Sequence, residues 1–203
     1  LSLAERLRLG AGQARGEVLG FLSGGAAPLK ESWLEELVSS LWRDGVGAVG
    51  GKLLRRNGTV LHAGYLTDAS GYIRPVFQGL SGDNPGWFNW NKLARTVDAL
   101  DNLCLFTCAA TLTEMKGFNT DSGHAAVSEY CLRLGEKGLR TIWWPFAEFM
   151  LLDERAAHAC GKRMADSAAL SQWVGRLVPF NENIWAAGEG WKLCVSEPCG
   201  GKK

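Results

Sequence analysis

The residues able to do chemistry in this chain are few. His124 lies three positions after Asp121, and a His–Asp pair is one way to build a base that works near neutral pH. Glu129 is a second acid–base candidate. Ser23-Gly24-Gly25 comes after a short apolar run. The backbone N–H groups of such a loop can cradle an anion, although the lysine of a P-loop is missing. Lys52, Arg55 and Arg56 form a small basic group that reads as a solvated hairpin rather than a phosphate site. His62 reads as structural, and His158 sits in a polar helical stretch with no partner in view. Cys104 and Cys108 have one spacing that invites a metal, and Cys194 and Cys199 another. No histidine stands near either pair at ligand distance, so no zinc site is expected. Cys131 and Cys160 complete a set of thiols suited to a reducing cytoplasm.

Nine tryptophans are present, and Trp87, Phe88 and Trp90 cluster, as do Trp143 and Trp144. Aromatic rings stack on sugars and bases or fill cores, and packing is the plainer role here. The chain has 203 residues, 46% hydrophobic and 21% charged, with 22 basic residues against 21 acidic. That suffices for one domain with a real core. The balance of charge gives no electrostatic case for nucleic acid or for a charged membrane, and no apolar run is long enough for a transmembrane segment.

These residues need a scaffold, and the pattern of apolar positions supplies one. Ser2 to Ala14 reads as a helix with Leu3, Leu7 and Ala11 on one face. Glu17 to Leu22 reads as a short buried strand suited to a parallel sheet. A helix near Ser32 to Arg43 carries Trp33, Leu34, Leu37, Val38 and Leu41. Strand is expected at Val46 to Val49 and Lys52 to Leu54, and Asn57-Gly58 predicts a two-residue hairpin back into Val60-Leu61. Asn57-Gly58-Thr59 is also a glycosylation sequon, but the turn accounts for it. Residues 67 to 95 read as a long, partly ordered surface loop. Then come strand at Val97 to Thr107, helix at Cys108 to Met115, helix at Glu129 to Lys137 closed by Gly138, and strand at Leu139 to Trp144 stopped by Pro145. Ala156 to Leu177 reads as mainly helical, and the chain from Pro179 as irregular. Alternating strands and helices define an α/β domain over 1–193, with a polar tail at 194–203.

Taken in order, several segments resemble family-2 glycosyltransferases of the GT-A type, particularly rhamnosyltransferase-like members. Ala14-Arg15-Gly16-Glu17-Val18-Leu19-Gly20-Phe21-Leu22 is similar to the stretch that leads into their Asp-x-Asp motif. Pro28 and Trp33-Leu34 match the proline and the Trp-Leu pair on the far side of that motif. Val46-Gly47-Ala48-Val49-Gly50-Gly51-Lys52-Leu53 and Asn57-Gly58-Thr59-Val60-Leu61-His62-Ala63-Gly64 match the next two blocks. Val97-Asp98-Ala99-Leu100 through Gly117-Phe118, Cys131-Leu132-Arg133-Leu134, Trp144-Pro145-Phe146-Ala147-Glu148 and Pro179-Phe180-Asn181-Glu182-Asn183 complete the series. The resemblance implies a Rossmann-like mixed sheet flanked by helices. It covers the C-terminal two-thirds of the pattern, so the sheet is expected to be incomplete at its N-terminal side.

The same resemblance implies hexosyl transfer from a nucleotide sugar, and the positions that would carry it are altered. Ser23, Gly24 and Gly25 fall where Asp-x-Asp would grip Mn²⁺ or Mg²⁺. Ala126 and Val127 fall on the acidic pair that supplies the general base, while Glu129 falls on a third acidic position two residues on. Leu151 and Leu152 fall on a metal-binding histidine, with Asp153 and Glu154 nearby as surface charge or as substitutes. Asp101-Asn102-Leu103 replaces a small-residue element where donor sugar or acceptor packs, and Lys116-Gly117 replaces Gly-Gly. The expected protein is a degenerate relative, a pseudoenzyme that retains UDP or nucleotide-sugar binding at Ser23, Gly24, Gly25, Asp101 and Asn102. It has no resident metal unless other residues rebuild the site. The alternatives are a metal-independent enzyme using Glu129, His124 or Asp121, and a non-enzymatic module that forms a homo-oligomer or binds a protein partner.

Overall fold

The computed structural model describes residues 1–68 and 72–153, Leu170 and Trp173, and the backbone of 184–187 and 190–193. The helix that opens the chain, α1 (Leu3–Gln13), is fixed at its start by a capping box in which Ser2 and Glu5 exchange hydrogen bonds. Ala4 is fully buried, and Leu7 and Ala11 pack against the core as the spacing predicts. Next come β1 (Val18–Leu22), β2 (Ala26–Pro28) and α2 (Trp33–Leu41). On α2 the apolar stripe holds, except that Leu34 lies exposed. Trp33 meets Phe106 and Phe149 edge-on, and Glu36 accepts a 2.8 Å hydrogen bond from the indole of Trp144.

β3 (Val46–Leu54) is one unbroken, wholly buried strand rather than two pieces. It turns back into β4 (Val60–His62), and the turn has three residues instead of the expected two. The N–H of Gly58 donates to the carbonyl of Arg55, and that of Arg55 to the carbonyl of Thr59. Gly58 has φ +76° while Asn57 stays out of the left-handed region, as in a type I turn ending in a glycine bulge. β5 (Tyr65–Thr67) and β6 (Ile73–Pro75) form a separate two-stranded ribbon. β7 (Arg95–Val97), β8 (Cys104–Cys108), α3 (Ala109–Glu114), α4 (Ala126–Glu136) and β9 (Arg140–Leu151) come after it.

The main sheet has the order β1-β8-β3-β9-β2, with β4 added on β3 and β7 on β9. Only β3 and β9 run parallel; every other pairing in this sheet is antiparallel. The expectation of a parallel partner for Glu17–Leu22 is therefore corrected, since β1 pairs antiparallel with β8. An apolar run reports burial on both faces and says nothing of direction. The faces do alternate as a strand requires. Ala48, Leu105 and Trp143 point to one core, under α1, α3 and α4, whereas Val49, Phe106, Ile142 and Trp144 point to the other, under α2. Leu170 and Trp173 are buried in the first.

Pro145 does not stop its strand. Gly51 pairs with Trp144 and Lys52 with Glu148, so residues 145 to 147 bulge out of the ladder, where a missing N–H costs nothing. The described part of the segment from 67 to 95 lies largely at the surface, but it carries β6 and is anchored by buried Val76, Phe77 and Asn91. Arg95 holds it from below, donating to the carbonyls of Trp90 at 2.8 Å and of Ala63, with Phe77, Trp90 and Trp143 around its guanidinium. Burial pulls its pKa down to about 9. The two carbonyls and three ring faces offset that cost, and among the described residues no carboxylate pairs with it. Lys52, read as solvated, is fully buried; it donates to the carbonyl of Gly82 at 2.7 Å and pairs with Glu148 at 3.3 Å. Burial lowers its pKa, and Glu148 works against that shift.

Behind β5, one oxygen of Asp98 accepts from both the N–H and the hydroxyl of Thr67, at 2.6 and 2.7 Å. Burial raises its pKa above the ordinary 3.8, and the Thr67 bonds oppose the rise. A raised folded-state pKa favours the fold below the unfolded value, and that contribution is lost as pH climbs through the folded one. Asp98→Asn keeps both bonds and no longer titrates. Urea midpoints should show the variant gaining on wild type as pH rises from 3.8 towards neutral; a difference that stays constant with pH would reject the assignment.

The chain from Pro179, read as irregular, contains paired strands β10 (Ile184–Ala187) and β11 (Gly190–Leu193). The expected helix at Ala156–Leu177, His158, Glu154, Cys160, Cys194, Cys199, the motif at 179 to 183 and the tail at 194–203 lie outside the described residues, apart from Leu170 and Trp173. No described helix is long and apolar enough to cross a membrane.

Candidate functional site

β1 and β8 build the centre of the site by their register. Leu22 pairs with Cys104, so the residues just outside that pair, Ser23 and Leu103, face one another. The N–H of Ser23 donates to the carbonyl of Leu103 at 2.9 Å. The glycine loop then turns, with the N–H of Ala26 donating to the carbonyl of Ser23 at 2.9 Å. At its far side the carbonyl of Gly25 accepts from the N–H of Leu152 at 2.6 Å, which draws the end of β9 onto the loop. A Cβ on Gly25 would stand 3.0 Å from the Cβ of Asp153. The fold thus gathers Ser23, Gly24, Gly25, Asp101 and Asn102 at one end of the sheet, with Asp153 lying over Gly25.

The expected backbone nest does not form. Neither Gly24 nor Gly25 has the left-handed φ that turns successive N–H groups towards one ligand. The N–H groups of Ser23 and Ala26 are already used inside the turn, and that of Gly25 reaches only to Ser23 Oγ at 3.5 Å.

Asp101 also departs from its expected place. Its side chain is only 1% exposed, and both oxygens are engaged internally. Oδ2 lies 2.5 Å from His62 Nε2, and Oδ1 accepts from the N–H of Leu103 at 2.7 Å. His62 is buried too, leaning on Tyr65 with ring centroids 4.6 Å apart. Asn102, between Asp101 and Leu103, is half-buried. The sulfur of Cys104 accepts from the N–H of Gly51 at 3.3 Å. Burial pushes that thiol up to about 12, with the Gly51 bond acting against the rise and the Asp101 charge adding to it. Burial pushes Cys131 up to about 12 as well. Neither is a nucleophile at neutral pH.

The base candidates divide by exposure. Ala126 and Val127 are fully buried in the core, so that pair of positions meets no cleft. Glu129 lies in the first turn of α4 and is buried as well. One oxygen accepts from Arg133 Nε at 2.7 Å, and Arg133 goes on to the carbonyls of Met115 and Gly117. The pair therefore ties α4 to the turn after α3, and the other Glu129 oxygen is buried without a hydrogen-bond partner among the described residues. Asp121 and His124 are exposed on the 3-10 turn Thr120–Ala125.

Sequence reasoning missed the His62–Asp101 bond and the seat of Asp153 on Gly25. The first joins residues 39 apart with no periodicity between them. The second had a faint signal, a residue without a side chain and a carboxylate at the end of a strand.

No family model matches the chain. The protein y4gI of Sinorhizobium fredii is 29% identical over 138 residues, covering 67% of this chain. The O-antigen biosynthesis protein RfbC of Myxococcus xanthus is 34% identical over 132 residues, covering 64%. The chain spans only 15% and 10% of those relatives' lengths. Among solved structures, GalNAc-T7 with UDP, GalNAc and Mn²⁺ superposes with a TM-score of 0.56 at 14% identity, over 74% of this chain and 30% of that one. The Pyrobaculum calidifontis mannosyltransferase PcManGT, in complex with GDP-Man and Mn²⁺, gives 0.48 at 19% identity, over 77% and 38%.

A hard divalent ion takes about six oxygen ligands, carboxylates prominent among them. Here the loop offers one hydroxyl and two glycines, with one carboxylate approaching from β9. Among the described residues no three His, Cys, Asp or Glu side chains converge to hold a metal. The donor set among the described residues does not fit such an ion.

Proposed function

We propose that this chain, which shares the fold of GalNAc-T7, is a glycosyltransferase-like protein that binds a nucleotide, UDP or a nucleotide sugar, and does not carry out metal-dependent sugar transfer. The observation that supports this reading is the chemistry of the positions that the sequence resemblance assigns to cation and base: Ser23, Gly24 and Gly25 offer no carboxylate, and Val127 is apolar and fully buried. Losing a positioned base alone costs about 10²–10⁴ in rate. Losing the cation also removes the charge that stabilises a departing diphosphate. Titration calorimetry with UDP, with and without Mn²⁺, should give an affinity that ignores the metal. A panel of nucleotide sugars should give no transfer. Robust Mn²⁺-dependent turnover would overturn this reading.

A second reading is assembly, and one observation favours it. β1 closes one end of the sheet order, and Gly20 on it is exposed. Among the described residues no strand pairs with the outer edge of β1, and such an edge is a template for pairing, here with a second copy of the chain. Light scattering at rising concentration would reveal a dimer; a monomer throughout would dismiss it.

A further inference from the structure

We infer that His62 and Asp101 form a buried positioning pair whose task is to set the Ser23–Gly25 loop, leaving Asn102 as the side chain of its own turn available to a ligand; this rests on reading that loop as the nucleotide site. The hydrogen bonds form an unbroken chain. The N–H of Gly64 donates to His62 Nδ1 at 3.1 Å, so that nitrogen carries no proton. The imidazole is then the Nε2–H tautomer, and it donates to Asp101 Oδ2. Asp101 Oδ1 takes the N–H of Leu103, closing a turn around Asn102. The carbonyl of Leu103 takes the N–H of Ser23. Three backbone segments from distant parts of the sequence, around residues 62–64, 101–103 and 23, are thus held in one register, and the last is the glycine loop.

The burial makes the pair consequential. Side-chain exposures of 2% and 1% keep water from substituting for either partner. A carboxylate in that position is costly unless its bonds are made. The neutral tautomer meets Asp101 with one donor and Gly64 with one acceptor, which is the only arrangement that satisfies both.

Three variants separate positioning from general stability. Asp101→Asn keeps the acceptor for Leu103 but turns an amide N–H₂ towards His62 Nε2–H. Moving the imidazole proton to Nδ1 would only shift the conflict to the N–H of Gly64. His62→Gln keeps a donor towards Asp101. The double variant Asp101→Asn/His62→Gln restores the match between the two side chains, because the new side chain at position 62 can rotate its amide oxygen towards the N–H₂ introduced at position 101; the flexible amide gives up only the acceptor for the N–H of Gly64.

The expected result is read in amide NMR spectra and by UDP calorimetry. In Asp101→Asn the Ser23, Gly24 and Gly25 signals should move while those of α2 stay, and UDP affinity should fall about tenfold, the cost of one buried bond turned repulsive. His62→Gln and the double variant should show loop signals and affinity close to wild type. A folded Asp101→Asn with unmoved loop signals overturns the inference, as does a double variant that fails to fold or keeps displaced loop signals. If Asp101→Asn does not fold, the double variant decides. If wild type itself does not bind UDP, the proposed function fails, and the loop signals still judge the pair.

Discussion

Trp143→Ala should cost about 4 kcal/mol of folding stability, and Trp143→Phe about 1 kcal/mol. Trp143 is fully buried, near the start of β9, and pairs with Arg95 of β7. Two contributions combine in it. Its volume fills the core beneath α4, and truncation to Ala leaves a cavity in a sheet that cannot collapse around it. Its face lies 4.6 Å from the Arg95 guanidinium, the shortest of the three ring contacts there. Phe retains a ring for both purposes. The indole N–H it gives up is buried without a partner among the described residues, so no hydrogen bond is forfeited. In a domain of this size each kcal/mol shifts Tm by about 2–4 °C, and a thermal melt resolves the two variants. Equal losses for Ala and Phe would show that packing against the ring is not what matters at this position.

Gly51→Ala is the second large effect, at about 3 kcal/mol. Gly51 sits in the all-buried β3, where the bulge at 145–147 brings β9 close. An added Cβ would stand 2.5 Å from Cε2 of Phe149 and 2.7 Å from the carbonyl oxygen of Ala147. Neither neighbour can give way easily. Phe149 is fully buried and held edge-on by Trp33 at 5.4 Å, and the oxygen belongs to backbone. Gly10→Ala is the natural control. It lies in α1 with nothing within 4 Å of a new Cβ, and Ala should stabilise the helix by about 0.5–1 kcal/mol. Chemical denaturation of the two variants should give shifts of opposite sign. A neutral Gly51→Ala would mean that the bulge yields, and that Pro145 is not locked where it lies.

The bulge also bears on chemistry. It lets β9 continue to Leu151, and only because β9 continues does its end reach the glycine loop and bring Asp153 over Gly25. An aspartate placed at position 25 would crowd Asp153, whose Cβ lies 3.0 Å from where the new Cβ would stand.

The elements that local composition controls were legible in the sequence. Ser2 and Glu5 start a helix, Lys116-Gly117 and Gly138 end two more, and Asn57-Gly58 turns a hairpin. The alternation of Ala48 with Val49 and of Leu105 with Phe106 gives a sheet covered on both faces. The residue types themselves show that Ser23, Gly24, Gly25 and Val127 offer no carboxylate. A side chain's chemistry is local, and so is the 2.0 or 3.6 period of the element that carries it. What the three-dimensional fold alone decided was direction and partnership. Period two says which face a residue takes, but not whether the neighbouring strand runs parallel, so β1 found β8 antiparallel. Asp101 turned inward to His62, and Lys52 to Glu148. Each of these outcomes depends on which buried group lies opposite once the strands have paired, and no spacing along the chain encodes that.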